Sequence, residues 1–251
     1  MTGSSGHIDT VRFLDRLDRC FAREDMEGAG QCISQWEKEA RSLGDRRGLL
    51  TVLNEAVGFY RRTGQKQQGL RAAEECLALL HGTGQRDTLS GAVILTNAAT
   101  TLCRFDETRR ALSVYEQAAA LYGRCGRTDT YEYAALLNNR AAALNSLGRF
   151  DDAERDWLQA VRILEREGAH DADMAVSLVM LAHLAWDRDE DARRAEELLD
   201  RAWDCLNSPR QKRDAAYAWA LQKCVPSFDF FQRPDAAQAL REVAEEIYEG
   251  H

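Results

Sequence analysis

Proline is scarce in this 251-residue sequence, which contains only three, and long apolar runs are missing. Proline interrupts the hydrogen-bond ladder of a helix, so its scarcity beside abundant alanine favours helical structure. No apolar stretch approaches the roughly 20 residues that a membrane-spanning helix needs. Residues 1–6 have neither the basic nor the apolar segment of a secretory signal. We therefore expect a cytoplasmic protein with no membrane partner, whose first six residues are frayed.

Positive charge is also in deficit. Lysine and arginine number 33 against 41 aspartates and glutamates, which gives a formal net charge of −8. An acidic surface repels the phosphates of nucleic acids and of anionic membranes. The composition thus predicts no nucleic-acid partner, although a local basic patch remains compatible with it.

Cysteine pairs and catalytic motifs are missing as well. The seven cysteines are odd in number, widely spaced and without a CxxC pair, whereas a secreted disulfide framework is denser. We interpret them as reduced, apolar side chains that hold no metal. Glycine-rich phosphate loops, the GxSxG nucleophile motif and the HExxH zinc motif do not occur. The sequence therefore predicts a protein that is not an enzyme and has no cofactor.

Self-similarity at a spacing of 42 residues is the strongest pattern that is present. Five rows of related residues recur at this step, and two rows contain only small side chains. One of them is Gly69, Ala111, Ala153, Ala195 and Ala237, and the other is Cys76, Ala118, Ala160, Ala202 and Ala244. Small side chains let two helix backbones approach closely, so the rows predict stacked pairs of helices.

Each unit of the repeat is predicted to be a helical hairpin with a tight turn. Gly64 and Gly148 lie where a helix ends in a left-handed residue. The candidate N-caps are Asp87, Thr128 or Asp129, and Asp171 or Asp173. The predicted first helices cover residues 47–62, 88–104, 129–147, 171–188 and 211–225. The predicted second helices cover residues 66–82, 107–124, 150–168, 191–207 and 234–249.

The unit from Leu137 to Ala160 resembles the signature of tetratricopeptide repeats, with Gly148, Ala153 and Trp157 at the signature positions. Its helices are longer than those of the usual unit of about 34 residues. They are similar to the 42-residue variety of kinesin light chains and many bacterial repeat proteins. The resemblance implies an all-α fold, a right-handed α-α superhelix (solenoid) of about six helical hairpins.

We expect the whole chain, residues 1–251, to form a single tetratricopeptide-like solenoid. Its parts are a divergent N-terminal hairpin (7–43), regular repeats (45–207) and an irregular C-terminal capping hairpin (208–251). Pro226 departs from the pattern and should kink or end its helix. The aromatic residues that follow, Phe228, Phe230 and Phe231, form either an exposed anchor for a partner or a cap on the last helix.

Two polar residues occupy positions that are apolar in most other units. Arg140 stands where the other units have alanine or cysteine, so its guanidinium group must pair or reach solvent. His183 lies on a row of valine and alanine, and we expect it to be buried or half-buried.

In tetratricopeptide repeats the first helix of each hairpin lines the inner, concave surface, and the resemblance assigns that role to two polar tracks here. Asparagine can hydrogen-bond both polar groups of an extended peptide backbone, and arginine holds a carboxylate in a bidentate fork. The candidate residues for binding a peptide or protein are Asn54, Arg61, Arg62, Asn97, Arg104, Asn138, Asn139, Asn145, Arg188, Lys223 and Phe230. The alternative is a solvated surface on which asparagines tie adjacent hairpins together.

The resemblance implies a scaffold or adaptor whose partner is a protein or an extended peptide with acidic groups. Two alternatives remain open. One is a peptide-sensing regulatory subunit that acts on a separate output protein. The other is an enzyme with an unrecognised site around Arg140, His183 and the aromatic C-terminal segment. Tetratricopeptide repeats serve many partners, so the sequence predicts the class of function and not the partner.

Overall fold

The computed structural model describes residues 6–249, and within them it contains twelve helices and no strand. The helices are α1 (Thr10–Ala22), α2 (Met26–Leu43), α3 (Arg46–Arg62), α4 (Lys66–Leu80), α5 (Leu89–Arg104), α6 (Thr108–Arg124), α7 (Tyr131–Ser146), α8 (Phe150–Glu167), α9 (Asp171–Asp189), α10 (Ala192–Leu206), α11 (Ala215–Phe230) and α12 (Pro234–Glu249). The predicted all-α architecture of six hairpins is confirmed. The expectation of a frayed start, without a secretory signal, concerned residues 1–6, of which residues 1–5 lie outside the described part of the chain.

The helices form two compact units, Met1–Arg127 and Thr128–His251, with three hairpins in each. In the first unit α1 pairs with α2, α3 with α4 and α5 with α6, while α2 packs on α3 and α4 packs on α5. The second unit pairs α7 with α8, α9 with α10 and α11 with α12, while α8 packs on α9. Contacts between α3 and α5, and between α9 and α11, place first helices side by side within each unit. The single solenoid over residues 1–251 stays a prediction.

The two rows of small side chains lie in the interior of the units. All ten residues are buried. A Cβ added to Gly69 would lie 2.6 Å from a ring carbon of Phe105 in the next hairpin, which is closer than packed carbon atoms come. The second helices therefore approach their neighbours closely because these positions are small, as the 42-residue pattern predicted.

The turns are only partly as predicted. Gly64 and Gly148 have φ angles of +72° and +75°, the left-handed conformation expected for them. The prediction of Asp87 as an N-cap was wrong, since α5 begins one residue later. Thr88 caps that helix, and its hydroxyl accepts the N–H of Gly91 at 3.1 Å.

The predicted caps of α7 and α9 were wrong too. The N-cap of α7 is Thr130 and that of α9 is His170, and neither side chain makes a capping hydrogen bond. Thr128 and Asp129 precede the cap of α7, whereas Asp171 and Asp173 lie in the first turn of α9. Acidic residues in a first turn still favour the helix, because they face the positive end of its dipole.

Helix α11 continues through Pro226 for another turn, whereas the sequence predicted a helix over 211–225 that ends there. Proline removes one backbone hydrogen bond but keeps helical φ, so packing on both sides can hold the helix. Phe228 is fully buried, and the hydroxyl of Ser227 lies 3.1 Å from Nε2 of His183 on α9. These contacts anchor the last turn of α11.

Candidate functional site

The candidate residues of the first unit lie on α3 and α5. Nδ2 of Asn97 donates to Oδ1 of Asn54 at 3.0 Å, and Nδ2 of Asn54 donates to a carboxylate oxygen of Glu55 at 3.1 Å. Both asparagines are half-buried. They join two hairpins, yet the carbonyl of Asn97 and one N–H of each amide have no hydrogen bond with the described residues.

Arg61, in the last turn of α3, is a half-buried cation. Its one hydrogen bond within residues 6–249 joins Nη1 to Oγ1 of Thr101 on α5, at 3.4 Å. Burial lowers the pKa of this guanidinium group. A buried charge without a counter-charge is costly, so an anionic group that reached Arg61 would be bound favourably.

Two further candidate arginines lie at the same ends of α3 and α5. The guanidinium carbon of Arg62 lies 5.9 Å from the centre of the Phe21 ring, a cation–π contact. Arg104 is exposed in the last turn of α5 and forms no ion pair with the described residues. Together with Arg61 these residues concentrate positive charge at one end of the α3–α5 face.

A carboxyl group lies farther along α3. Glu55 is half-buried, and burial raises its pKa, with the hydrogen bond from Asn54 opposing the shift and Asp18 adding to it. The α3–α5 face therefore carries amides and a carboxyl group near its middle and guanidinium groups at its end. Such a face suits the polar backbone of an extended chain that has an acidic group.

A polar seam also joins α7 and α9 in the second unit. The hydroxyl of Ser177 donates to Oδ1 of Asn138 at 2.8 Å, and the hydroxyl of Tyr131 donates to a carboxylate oxygen of Asp173 at 3.3 Å. Asn139 lies beside this seam and is half-buried. As in the first unit, an asparagine on a first helix serves to connect hairpins.

A cavity of about 360 Å³ brings two of the candidate residues together at the far end of α7 and α9. Its walls are Asn145, Phe150, Trp157, Met180, His183, Leu184, Asp187 and Arg188. The amide of Asn145 is half-buried and has no hydrogen bond with the described residues. Apolar walls with a few polar groups are typical of ligand pockets.

Arg188 is already neutralised by its neighbours. Its nitrogens lie 3.0 Å from Asp151, 2.8 Å from Glu154 and 2.5 Å from Asp189. The hydrogen bonds to Asp189 and Glu154 raise the pKa of the guanidinium group. Arg188 therefore orders one rim of the cavity, and it has little capacity left for a second carboxylate.

His183 lies between this cavity and the C-terminal aromatic segment. It is half-buried, as predicted, and its ring centre is 5.0 Å from those of Phe230 and Phe231. Burial lowers the pKa of the imidazole, and Asp187 opposes the shift. Its hydrogen-bond partner Ser227 is only 3% exposed, so a substrate has no access to that hydroxyl.

The C-terminal aromatic residues divide between core and surface. Phe228 is fully buried and Phe231 is 9% exposed, whereas Phe230 is 51% exposed. Lys223 is also exposed and lies 5.0 Å from the centre of the exposed Trp219 ring. Two of the three phenylalanines therefore pack as a cap, and only Phe230 presents its ring to solvent.

Sequence reasoning missed the partners of the candidate residues, among them Thr101, Ser177 and Trp157. One signal was present, because Tyr131 and its partner Asp173 are separated by one repeat of 42 residues. The hydrogen-bonded pairs Arg61–Thr101, Asn138–Ser177 and His183–Ser227 are separated by 40, 39 and 44 residues. These separations depend on how adjacent helices pack.

Comparison with known proteins supports the fold. Residues 132–208 match the family model described as tetratricopeptide repeat, and no curated protein matches the chain. The structure of BtubC (BKLC) from P. vanneervenii is similar, with a TM-score of 0.63 and 19% identity over 93% of this chain and 91% of that one. A kinesin-light-chain structure with nearly identical TPR-like repeats from Podosopora anserina has a TM-score of 0.58 and 18% identity, over 79% and 94%. A Rap protein complexed with competence and sporulation factor has a TM-score of 0.57 and 16% identity, over 100% and 78%. At these identities the likeness concerns the fold alone.

Proposed function

From the tetratricopeptide-repeat fold of this chain, we propose that it is a binding protein that holds an extended peptide or a protein segment on its first helices. The observation that carries the proposal is the α3–α5 face. There the amides of Asn54 and Asn97 each keep one unpaired N–H, and Arg61, two turns along α3 from Asn54, has no counter-charge among the described residues. The structurally similar Rap protein was crystallised with competence and sporulation factor, which supports a ligand-binding use of this fold.

The proposed ligand has an acidic group. No ion pair joins Arg61, Arg62 or Arg104 to the described residues. A carboxylate of the ligand would therefore provide the counter-charge that these guanidinium groups lack. The unpaired N–H of each asparagine amide and the carbonyl of Asn97 supply donors and an acceptor to the backbone of the same ligand. Binding rather than catalysis is proposed because the Ser227–His183 pair is closed to substrate.

The proposed location is the cytoplasm. The seven cysteines are free thiols, and thiols persist in reducing compartments. A regulatory subunit that senses a peptide would use the same face and would differ only in passing the signal to a second protein.

The first prediction tests this face. Peptides selected on the wild-type protein from a random display library are titrated by fluorescence anisotropy against Arg61→Met/Arg104→Gln. We expect the affinity of the selected peptides to fall by about tenfold or more, because each lost contact to a charged group costs over 1 kcal/mol.

The matched control is Arg71→Met/Arg109→Gln, which removes the same charge from exposed positions on α4 and α6. We expect it to bind as the wild type does, with an unchanged helical circular dichroism spectrum. Equal loss in both variants, or a library that yields no enriched peptide, would contradict the proposed function.

A further inference from the structure

Basic side chains gather at a corner of the first unit, around the loop 81–88 that joins α4 to α5. Nε of Arg47 donates to the carbonyl of Thr83 at 3.0 Å. A Cβ added to Gly82 would lie 2.5 Å from Nη2 of Arg46, and one added to Gly84 would lie 3.4 Å from Nη2 of Arg47. The two glycines therefore allow both guanidinium groups to lie directly against the loop.

A cavity of about 360 Å³ opens beside the same loop. Its walls are Leu77, Leu80, His81, Arg86, Leu95, Val114, Gln117, Ala120, Leu121 and Arg124. Aliphatic side chains thus form one part of the wall, while a histidine and two arginines form another. The volume is at the lower end of the range for small-molecule sites, which begins at roughly 300 Å³.

The positive charge of this corner is poorly compensated. Arg46 and Arg86 are exposed and form no hydrogen bond or ion pair with any described residue. Arg124 reaches Asp87 only at 3.5 Å. Asp45 is 4% exposed; its carboxylate accepts the backbone N–H groups of Ile8 and Gly48 and lies 3.1 Å from Nδ1 of His7, so it is turned away from solvent.

Arginines without an ion pair among the described residues, such as Arg46 and Arg86, are unexpected beside one another's charge in a chain whose formal net charge is −8. Like charges that are held together repel each other, and an anion bound between them removes that cost. The loop contains a second unsatisfied group. The hydroxyl of Thr83 is buried and has no hydrogen-bond partner, and buried polar groups are normally paired.

We propose that this corner binds a phosphorylated small molecule. Its phosphate would lie against the loop 81–88, where Arg46 and Arg47 lie at Gly82 and Gly84 and where Arg86 lines the cavity, since guanidinium groups hold phosphate oxygens in bidentate pairs. Its apolar portion would occupy the aliphatic part of the cavity. This site is separate from the α3–α5 face, and it does not depend on the proposed peptide ligand.

Phenyl phosphate and inorganic phosphate are the probes that test the site. Each is titrated at constant ionic strength by isothermal titration calorimetry, with phenol as the probe that lacks the anion. We expect saturable binding of phenyl phosphate, weaker binding of inorganic phosphate and none of phenol. A surface that acts by charge alone would bind the two phosphates equally, and that result would overturn the proposal.

Matched charge variants locate the site. In Arg46→Gln/Arg86→Gln we expect the affinity for phenyl phosphate to fall by about tenfold or more, because two charge-assisted contacts are lost. The control Arg23→Gln/Arg109→Gln removes the same charge from exposed positions elsewhere in the first unit, and its affinity should stay within about twofold.

Amide chemical shifts give an independent readout. On addition of phenyl phosphate, the largest shifts should fall in the loop 81–88 and the first turn of α3. Shifts scattered over exposed arginines throughout the chain, or equal loss of affinity in both double variants, would overturn the assignment. The four substituted arginines, Arg23, Arg46, Arg86 and Arg109, are exposed. Circular dichroism should therefore confirm that both double variants remain folded.

Discussion

Arg140 and Asp156 form a largely buried ion pair between α7 and α8. The guanidinium group donates two hydrogen bonds to the carboxylate, at 2.6 and 2.7 Å, and the two side chains are 18% and 6% exposed. The sequence predicted that Arg140 needs a partner, because alanine or cysteine fills the same position in other units. It could not name Asp156, which lies 16 residues away on α8 and whose orientation depends on how the two helices pack.

Replacing Arg140 with methionine should destabilise the protein, because the carboxylate of Asp156 would remain buried without its counter-charge. We expect the free energy of unfolding to fall by about 3–5 kcal/mol. Urea denaturation followed by circular dichroism measures the change.

The double variant Arg140→Met/Asp156→Leu serves as the control. Removing both charges should restore most of the stability, because an apolar pair of similar volume avoids the cost of desolvation. A single variant that is as stable as the wild type would show that Asp156 finds solvent or another partner.

Among the elements, helix positions were largely predictable and helix ends were not. The small-residue rows and the turn glycines located nine helices to within two residues at each end, because both features repeat with the fold. Helix α11 begins four residues later and ends five residues later than predicted. The N-caps were predicted wrongly because the capping residue depends on where each helix begins. The N-caps of α5, α7 and α9 are Thr88, Thr130 and His170. The prediction that α11 ends at Pro226 was wrong for another reason. The tertiary contacts of Phe228 and Ser227 outweigh the one backbone hydrogen bond that proline removes.

Replacing Pro226 with alanine should therefore stabilise α11. The ring is exposed, and alanine would restore the missing N–H and the hydrogen bond that it makes to the preceding turn. We expect a gain of about 1–3 kcal/mol in the free energy of unfolding, measured by urea denaturation.

Pro234 offers an internal comparison because it is the first residue of α12. Proline is well suited to that position, so Pro234→Ala should change the stability by less than about 1 kcal/mol, towards destabilisation. A loss of stability in Pro226→Ala would mean that the proline itself is needed for the packing of α11.

At the scale of the whole molecule, the repeat was predictable and the site was not. Ten small residues at a fixed step specify stacked hairpins, whatever the surface carries. The surface pattern was ambiguous, because an asparagine that binds a ligand and one that binds the next hairpin look alike in sequence. Asn54 and Asn97 do bind each other, and only the structure shows which of their polar groups remain free. The basic corner around Arg46 and Arg86 gave no sequence signal either, since α3 and the α4–α5 loop contribute its charges from distant segments.

Stacking also predicts how stability is distributed within residues 128–249. The last helix, α12, packs mainly on α11, whereas α9 packs on α8, α10 and α11. In a repeat array stability comes from contacts with neighbouring helices, so a helix with one main packing partner opens before helices with two or three. Hydrogen exchange followed by mass spectrometry should therefore show faster exchange in α12 than in α8 and α9.

Two cavity-forming variants make this prediction sharper. Leu240→Ala in α12 and Leu164→Ala in α8 remove equally buried leucines, 3% and 2% exposed, and each should cost about 2–5 kcal/mol locally. Leu240→Ala should speed exchange in α11 and α12 while leaving α7 and α8 protected. Leu164→Ala should speed exchange in α7, α8 and α9, because α8 packs on both α7 and α9. If both variants instead speed exchange uniformly over residues 128–249, the three hairpins unfold as one cooperative block, and nearest-neighbour stacking does not govern their stability.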